Sequence, residues 1–204
     1  MQCIGHAGAS EIAPANSLES FALAAELGAD HIEFDVRGWR GRLLLAHSAF
    51  DAQFGRCLRL EEALAELSGE RYADLGFVVD LKTAGTAEPV VDGLRRHGLF
   101  DRALITSQCP PFLASVRRLA PEARVGISIA GRFARRLQRW GEWRSEVLTA
   151  LHAGHYDALM AHHRLIDRDL VHRVAESGAE LHAWTVGCPD AMRSLGGLGV
   201  DGVV

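Results

Sequence analysis

Short apolar runs alternate with amphipathic helical runs from one end of this chain to the other, and that rhythm leaves few folds open. A helix shows its apolar residues at a period near 3.6, whereas a strand buried on both faces shows a continuous apolar run. Their alternation specifies βα units around a parallel sheet. Core strands are predicted at Gln2 to His6, His31 to Val36, Gly76 to Lys82, Ala103 to Ser107 and Arg124 to Ile129. Three more are predicted at Asp157 to Ala161, Glu180 to Val186 and Asp201 to Val204. Eight such strands predict an α/β chain of the (β/α)8 TIM barrel class.

The connections agree. Asn16 reads as a helix N-cap with Glu19 reaching back to it, and Leu18, Phe21, Ala22 and Ala25 fall on one stripe. Gly28 ends that helix. The ending Leu27-Gly28-Ala29-Asp30 before strand two returns as Leu198-Gly199-Val200-Asp201 before strand eight. No longer repeat, low-complexity tract or linker interrupts the chain, which predicts one domain over residues 1–204. Two places break the rhythm. From Val36 to His47 there is no room for a helix, so Gly38 to Arg42 is read as a turn and Leu43 to His47 as a strand folding back in a β-hairpin after strand two. The stretch from Gly131 to Leu151 is long and carries Arg132, Arg135, Arg136, Arg139 and Arg144 beside Trp140 and Trp143. It reads as a solvated helix pair with half-buried tryptophans. The sharper reading is an anion-attracting lid, because loops after barrel strands lie at the catalytic face.

Composition narrows the function classes. A formal net charge of -4 argues against general nucleic-acid binding. No apolar run approaches the ~20 residues of a membrane span. The N-terminus lacks the regions of a signal peptide, which predicts a cytoplasmic protein. Cys3, Cys57, Cys109 and Cys188 have no metal-ligand spacing and are expected to be reduced thiols, mostly packing residues.

Active sites of this fold class lie at the C-terminal ends of the strands. Strand one ends in His6. Strand two carries Glu33 and Asp35, two apart and so on one face; strand three carries Asp80 and Lys82 in the same relation. The predicted hairpin ends in His47, strand six runs into His162 and His163, and strand seven carries Trp184. His162 and His163 are adjacent, and adjacent strand residues face opposite sides, so at most one points into the site. Three carboxylates in one interior exceed what Lys82 alone neutralises, so a divalent cation is the better account, and oxygen ligands favour Mg2+ or Ca2+. Three carboxylates, that cation and Lys82 sum to zero charge, which leaves room for a singly charged phosphodiester. His6 and His47, beside the carboxylates, suit acid/base roles.

These residues resemble a known family. Ile4-Gly5-His6-Ala7-Gly8-Ala9-Ser10, Pro14-Ala15-Asn16-Ser17-Leu18-Glu19-Ser20-Phe21 and Leu27-Gly28-Ala29-Asp30-His31-Ile32-Glu33-Phe34-Asp35-Val36-Arg37 resemble the opening of glycerophosphodiester phosphodiesterases. Ala46-His47, Asp80-Leu81-Lys82, Ala183-Trp184-Thr185-Val186 and Leu198 to Val204 continue the pattern in order. The resemblance implies metal-dependent hydrolysis of small glycerophosphodiesters to an alcohol and glycerol 3-phosphate, within lipid and glycerol metabolism. It implies that Glu33, Asp35 and Asp80 hold the metal, that His6 and His47 serve as general acid and base, and that Lys82 binds phosphate, with Trp184 also on the substrate side. It departs from the family at four positions. Ala7 stands where arginine is usual, Ala15 where glutamate is usual, Asp80 where glutamate is usual, and Ser48 where aspartate commonly follows the histidine. The chain also stops inside its last strand, as a shortened chain would. The alternatives are a weak or inactive relative that binds a phosphorylated ligand, and a lysophospholipase D-type phosphodiesterase.

Overall fold

The computed structural model describes residues 1–129 and 137–204. The strands are β1 (Gln2–Gly5), β2 (His31–Trp39), β3 (Arg42–Leu45), β4 (Gly76–Leu81), β5 (Ala103–Ser107), β6 (Arg124–Ile129), β7 (Ala158–His162), β8 (Glu180–Trp184) and β9 (Gly202–Val203). The helices are α1 (Leu18–Glu26), α2 (Ala49–Phe54), α3 (Leu60–Leu67), α4 (Ala87–Arg96), α5 (Pro110–Leu119), α6 (Leu137–His152), α7 (Arg168–Glu176) and α8 (Pro189–Leu198). Strand order is β1-β9-β8-β7-β6-β5-β4-β2-β3, with β1 also paired to β2. A first strand that pairs with both the second and the last gives the closed ring of a (β/α)8 TIM barrel; β3 is the added hairpin strand. No helix among the described residues is long and apolar enough to cross a membrane.

Packing divides the chain into residues 4–124 and a second unit of residues 1–3 with 125–204. In the first, β2 and β4 are buried from their second residue to Val36 and Leu81, and β5 throughout. Continuous apolar runs are therefore the right signature there. Helix α1 docks through Phe21, whose ring meets Phe34 at 5.9 Å; neither is accessible to solvent. The expected apolar stripe is shifted. Ser20, Phe21 and Ala24 are the buried positions of α1, and Leu18 is exposed. The cap is shifted too: Ser17, not Asn16, opens α1, in a reciprocal box with Ser20.

The hairpin turn is tighter than expected. Trp39 pairs with Arg42, so β2 runs on to Trp39 and the loop is Arg40-Gly41 alone. Both have positive φ, 47° and 76°, the backbone of a two-residue hairpin turn.

In the second unit, Trp140 is buried, and Arg144 of α6 bonds Asp167 at 2.7 and 2.8 Å and Asp169 at 2.7 Å. That charge ties α6 to the start of α7. Arg132, Arg135 and Arg136 lie outside the described residues, as does the side chain of Arg139. None of the four cysteines forms a disulfide and none is buried, so they are not the packing residues expected.

Candidate active site

Two neighbouring strands build the acidic centre. Parallel register sets Asp35 of β2 beside Asp80 of β4, and the period of two puts Glu33 on the same face as Asp35. One oxygen from each carboxylate lies within 4.8 Å of the others. All three residues are buried, at 7%, 2% and 8% exposure. Burial, with the charges of Asp35 and Asp80, raises the Glu33 pKa well above the usual carboxylate range. Burial also raises Asp80, with Lys82 opposing. For Asp35 burial acts the same way, but hydrogen bonds from His47, Lys82 and Asn16 and the lysine's charge outweigh it and hold the group well below its ordinary value.

This donor set fits a divalent cation. The ligand atoms are all carboxylate oxygens, which suit hard cations. Among the described residues Asp80 Oδ1 is buried without a hydrogen-bond partner, an arrangement that costs free energy unless something else meets that oxygen.

Lys82 leans back over the cluster. Its Nζ lies 2.8 Å from Asp35 Oδ1 and also donates to Asp80. Burial alone would lower its pKa, but the charges of Asp80 and Asp35 raise it above the ordinary lysine value. The lysine expected to meet phosphate is thus held here as the counter-ion of two carboxylates.

The loop after β1 closes over the same oxygens. Ala7 takes φ 47°, and its N–H donates to Glu33 Oε2 at 2.8 Å. Gly8, at φ 82°, could not be otherwise: an added Cβ would stand 2.3 Å from the Ser20 hydroxyl oxygen. Asn16, φ 57°, grips Asp35 twice. Its Nδ2 donates to Oδ2 at 2.9 Å, and its Oδ1 accepts from the Asp35 N–H at 3.0 Å. Sequence reasoning assigned Asn16 to a helix cap and missed this role. The signal was present, because Ser17 and Ser20 supply a complete capping pair without it.

The two histidines differ. His6 is exposed at the end of β1, yet the protein around it lowers its pKa, with burial the largest cause. His47 is 69% exposed on its side chain, and its Nδ1 lies 3.4 Å from Asp35 Oδ1, which raises its pKa. A tight turn near Gly38 to Gly41 predicts His47 beside Glu33. The two-residue turn instead sets Val36 opposite Leu45 and bonds Ala46 N–H to the Asp35 carbonyl, so His47 meets Asp35. Arg37 steadies the same corner by donating to the His47 carbonyl at 2.8 Å. Ser48 does not orient His47. It caps α2 in a reciprocal box with Asp51.

In the second unit, Trp184 ends β8 and donates from Nε1 to the Met160 carbonyl at 3.0 Å. Its ring meets His162 edge-on at 5.8 Å. His162 is the last residue of β7 and His163 begins a helical turn, so the strict alternation of a strand ends between them. Their rings stack at 4.5 Å.

The chain's relatives are consistent with each other. The model of the Glycerophosphoryl diester phosphodiesterase family matches residues 6–47 and 72–204. The probable glycerophosphodiester phosphodiesterase 2 of Mycobacterium tuberculosis is 28% identical over 94% of this chain and 81% of its own length. A glycerophosphodiester phosphodiesterase of Caldanaerobacter subterraneus is 24% identical over 98% and 92%. Among solved structures, a putative glycerophosphoryl diester phosphodiesterase from Silicibacter pomeroyi superposes with a TM-score of 0.82 at 19% identity, covering all of this chain and 89% of that one. An Oleispira antarctica phosphodiesterase, solved in complex with its product sn-glycerol-3-phosphate, superposes with a TM-score of 0.76 at 22% identity, covering all of this chain and 92% of that one.

Proposed function

The chain belongs to the glycerophosphoryl diester phosphodiesterase family, and from that premise we propose that it hydrolyses a glycerophosphodiester to an alcohol and glycerol 3-phosphate, using one divalent cation, Mg2+ or Ca2+, held by Glu33, Asp35 and Asp80. The observation that carries this reading is the buried carboxylate triad with the orphaned Asp80 Oδ1. When bound, the cation supplies positive charge to the phosphate oxygens and polarises phosphorus.

The remaining chemistry falls to this chain's own residues. Water attacks phosphorus and loses a proton; the bond from phosphorus to the alcohol oxygen breaks, and that oxygen gains a proton. His6, kept neutral by its surroundings, accepts the first proton. His47 gives the second, because Asp35 at its Nδ1 favours the imidazolium and leaves Nε2 to act. Lys82, seated on two of the carboxylates that would hold the cation, binds the phosphate charge. Trp184 enters from the family resemblance alone, as a further substrate contact. A cytoplasmic enzyme of lipid and glycerol metabolism is the expectation that goes with this reading.

The test is release of glycerol 3-phosphate from glycerophosphocholine and glycerophosphoethanolamine, with chelator and with Mg2+ or Ca2+ restored. Cation-dependent release is expected. Equal release in chelator removes the cation from the reaction, and a phosphorylated alcohol as product means that the wrong ester bond was assigned. Two observations favour a second reading, a ligand-binding relative with weak turnover: Ala7 supplies no guanidinium, and Lys82 is already shared by two carboxylates. Tight glycerol 3-phosphate binding without diester cleavage would select it.

A further inference from the structure

Helix α2 turns its aromatic face outwards. Ala52 is its buried residue, whereas Phe50 and Phe54, one turn apart, are 70% and 66% exposed, with ring centroids 4.8 Å from each other. A single exposed apolar side chain is ordinary, but two aromatic rings side by side in water mark a contact surface. Arginines accompany them. Residues 37–59 hold Arg37, Arg40, Arg42, Arg56 and Arg59 against one acid, Asp51, a net charge of +4 before the imidazolium of His47 is added; since the chain totals -4, the other residues carry -8. We propose that this face docks on a lipid surface with anionic headgroups, the phenylalanines entering its apolar layer and the arginines meeting its phosphates.

The charge is available. Arg40, Arg42, Arg56 and Arg59 are exposed, and among the described residues none of them meets a carboxylate, whereas Arg95, Arg96 and Arg144 each do. At the hairpin tip Arg40 lies over the half-buried Trp39 ring at 5.8 Å. The hairpin and the segment after it adjoin, because the Leu45 N–H donates to the Leu58 carbonyl at 2.8 Å and Leu44 pairs with Arg59. Aromatic rings settle at headgroup level, and arginine lays its stem along apolar surface while its planar fork meets phosphate oxygens. A lipid surface with negative charge answers both parts of the face. A second copy of the chain answers only one: a two-fold interface sets a patch against itself, so the same arginines would face one another. The family match leaves out residues 48–71, so α2 is a device of this chain rather than of the shared barrel. Ser48, which caps α2, directly follows His47, and the segment that carries Arg56 walls a cavity of about 590 Å³ beside that histidine. Docking through α2 therefore brings the His47 edge of the site to the lipid.

The experiment is sedimentation with vesicles of phosphatidylcholine alone and of phosphatidylcholine with about a third phosphatidylglycerol. It reads binding without turnover, so it stands apart from the hydrolase reading. The parent should bind the anionic vesicles about tenfold or more tightly than the neutral ones, and rising salt should erase the difference. Phe50→Ser with Phe54→Ser should weaken binding to anionic vesicles about tenfold or more, through the apolar area withdrawn from the lipid. Arg40→Asn with Arg42→Gln and Arg56→Gln should remove the preference for anionic vesicles. All five positions are exposed, and an unchanged melting temperature shows that each variant folds; the two vesicle types and the salt series test the parent without any variant. The proposal is overturned if the parent leaves anionic vesicles unbound, binds both kinds equally, or is matched on anionic vesicles by the folded phenylalanine variant. It is also overturned by a parent dimer in analytical ultracentrifugation that the phenylalanine variant turns into a monomer, since a second copy would then cover this face.

Discussion

At Glu33 burial and charge conflict most sharply. The residue is 7% exposed and stands with two other carboxylates, while the Ala7 N–H gives one oxygen a single hydrogen bond. Glu33→Gln keeps the shape and removes the charge, so calorimetry should show Mg2+ or Ca2+ affinity abolished; unchanged affinity would place the cation elsewhere. His6→Ala and His47→Ala should each cost on the order of 10²-fold or more in turnover, the lower end of an acid/base contribution. Two variants that retain turnover would end that assignment. Ala7 sets the third test. Its backbone already takes the left-handed turn that brings its N–H to Glu33. Ala7→Arg should tighten glycerol 3-phosphate binding about tenfold to a hundredfold, since a hydrogen bond to a charged group contributes ~1.5–3 kcal/mol. A parallel variant neutralises Arg132, Arg135 and Arg136. Loss there with no gain from Ala7→Arg would mean those arginines supply the missing charge, and no change in either would rule phosphate out as the ligand.

Single elements show where local sequence suffices. Strand β5 runs over the predicted residues and β4 ends one short of them, because a strand covered on both faces is apolar over most of its length. The start of α1 was misread because Asn16 and Ser17 both make good caps, and only the position of Asp35, nineteen residues away, claims one of them. Helices α3 and α4 are joined by Glu61, which bonds Arg96 at 2.8 and 3.0 Å and His97 at 2.8 Å. Those bonds pull the Glu61 pKa down to about 2, the Arg96 bond foremost. A carboxylate with a lowered folded pKa stabilises fully above its unfolded value of about 4.3, and that contribution is lost as pH falls toward the folded value. Glu61→Gln should therefore lower the melting temperature slightly at pH 6 and leave it nearly unchanged near pH 2. A difference that grows in acid would reverse the sign and exclude this linkage. The effect stays small because all three partners reach solvent.

For the molecule as a whole, a cation held by the carboxylate triad would link its binding to folding. A ligand that binds only the folded state, at a hundred times its Kd, stabilises by about 2.7 kcal/mol. For a chain of this length that is a rise of roughly 5–10 °C in melting temperature. Scanning calorimetry with chelator and with cation should show the rise in the parent and none in Glu33→Gln; an equal rise in both would mean that the cation acts elsewhere. Barrel class, the strands, and the pairing of Glu33 with Asp35 and of Asp80 with Lys82 on their faces were legible in the sequence alone. They follow from periods of two and 3.6, which neighbouring residues set among themselves. Register and loop closure decided the rest. A two-residue turn gave His47 to Asp35, Asn16 left the cap for the same carboxylate, Lys82 folded back on Asp35 and Asp80, and the segment after the hairpin walled a cavity beside His47. Each of these joins residues that local periodicity does not relate, so only the folded chain, with buried polar groups each seeking a partner, could choose among them.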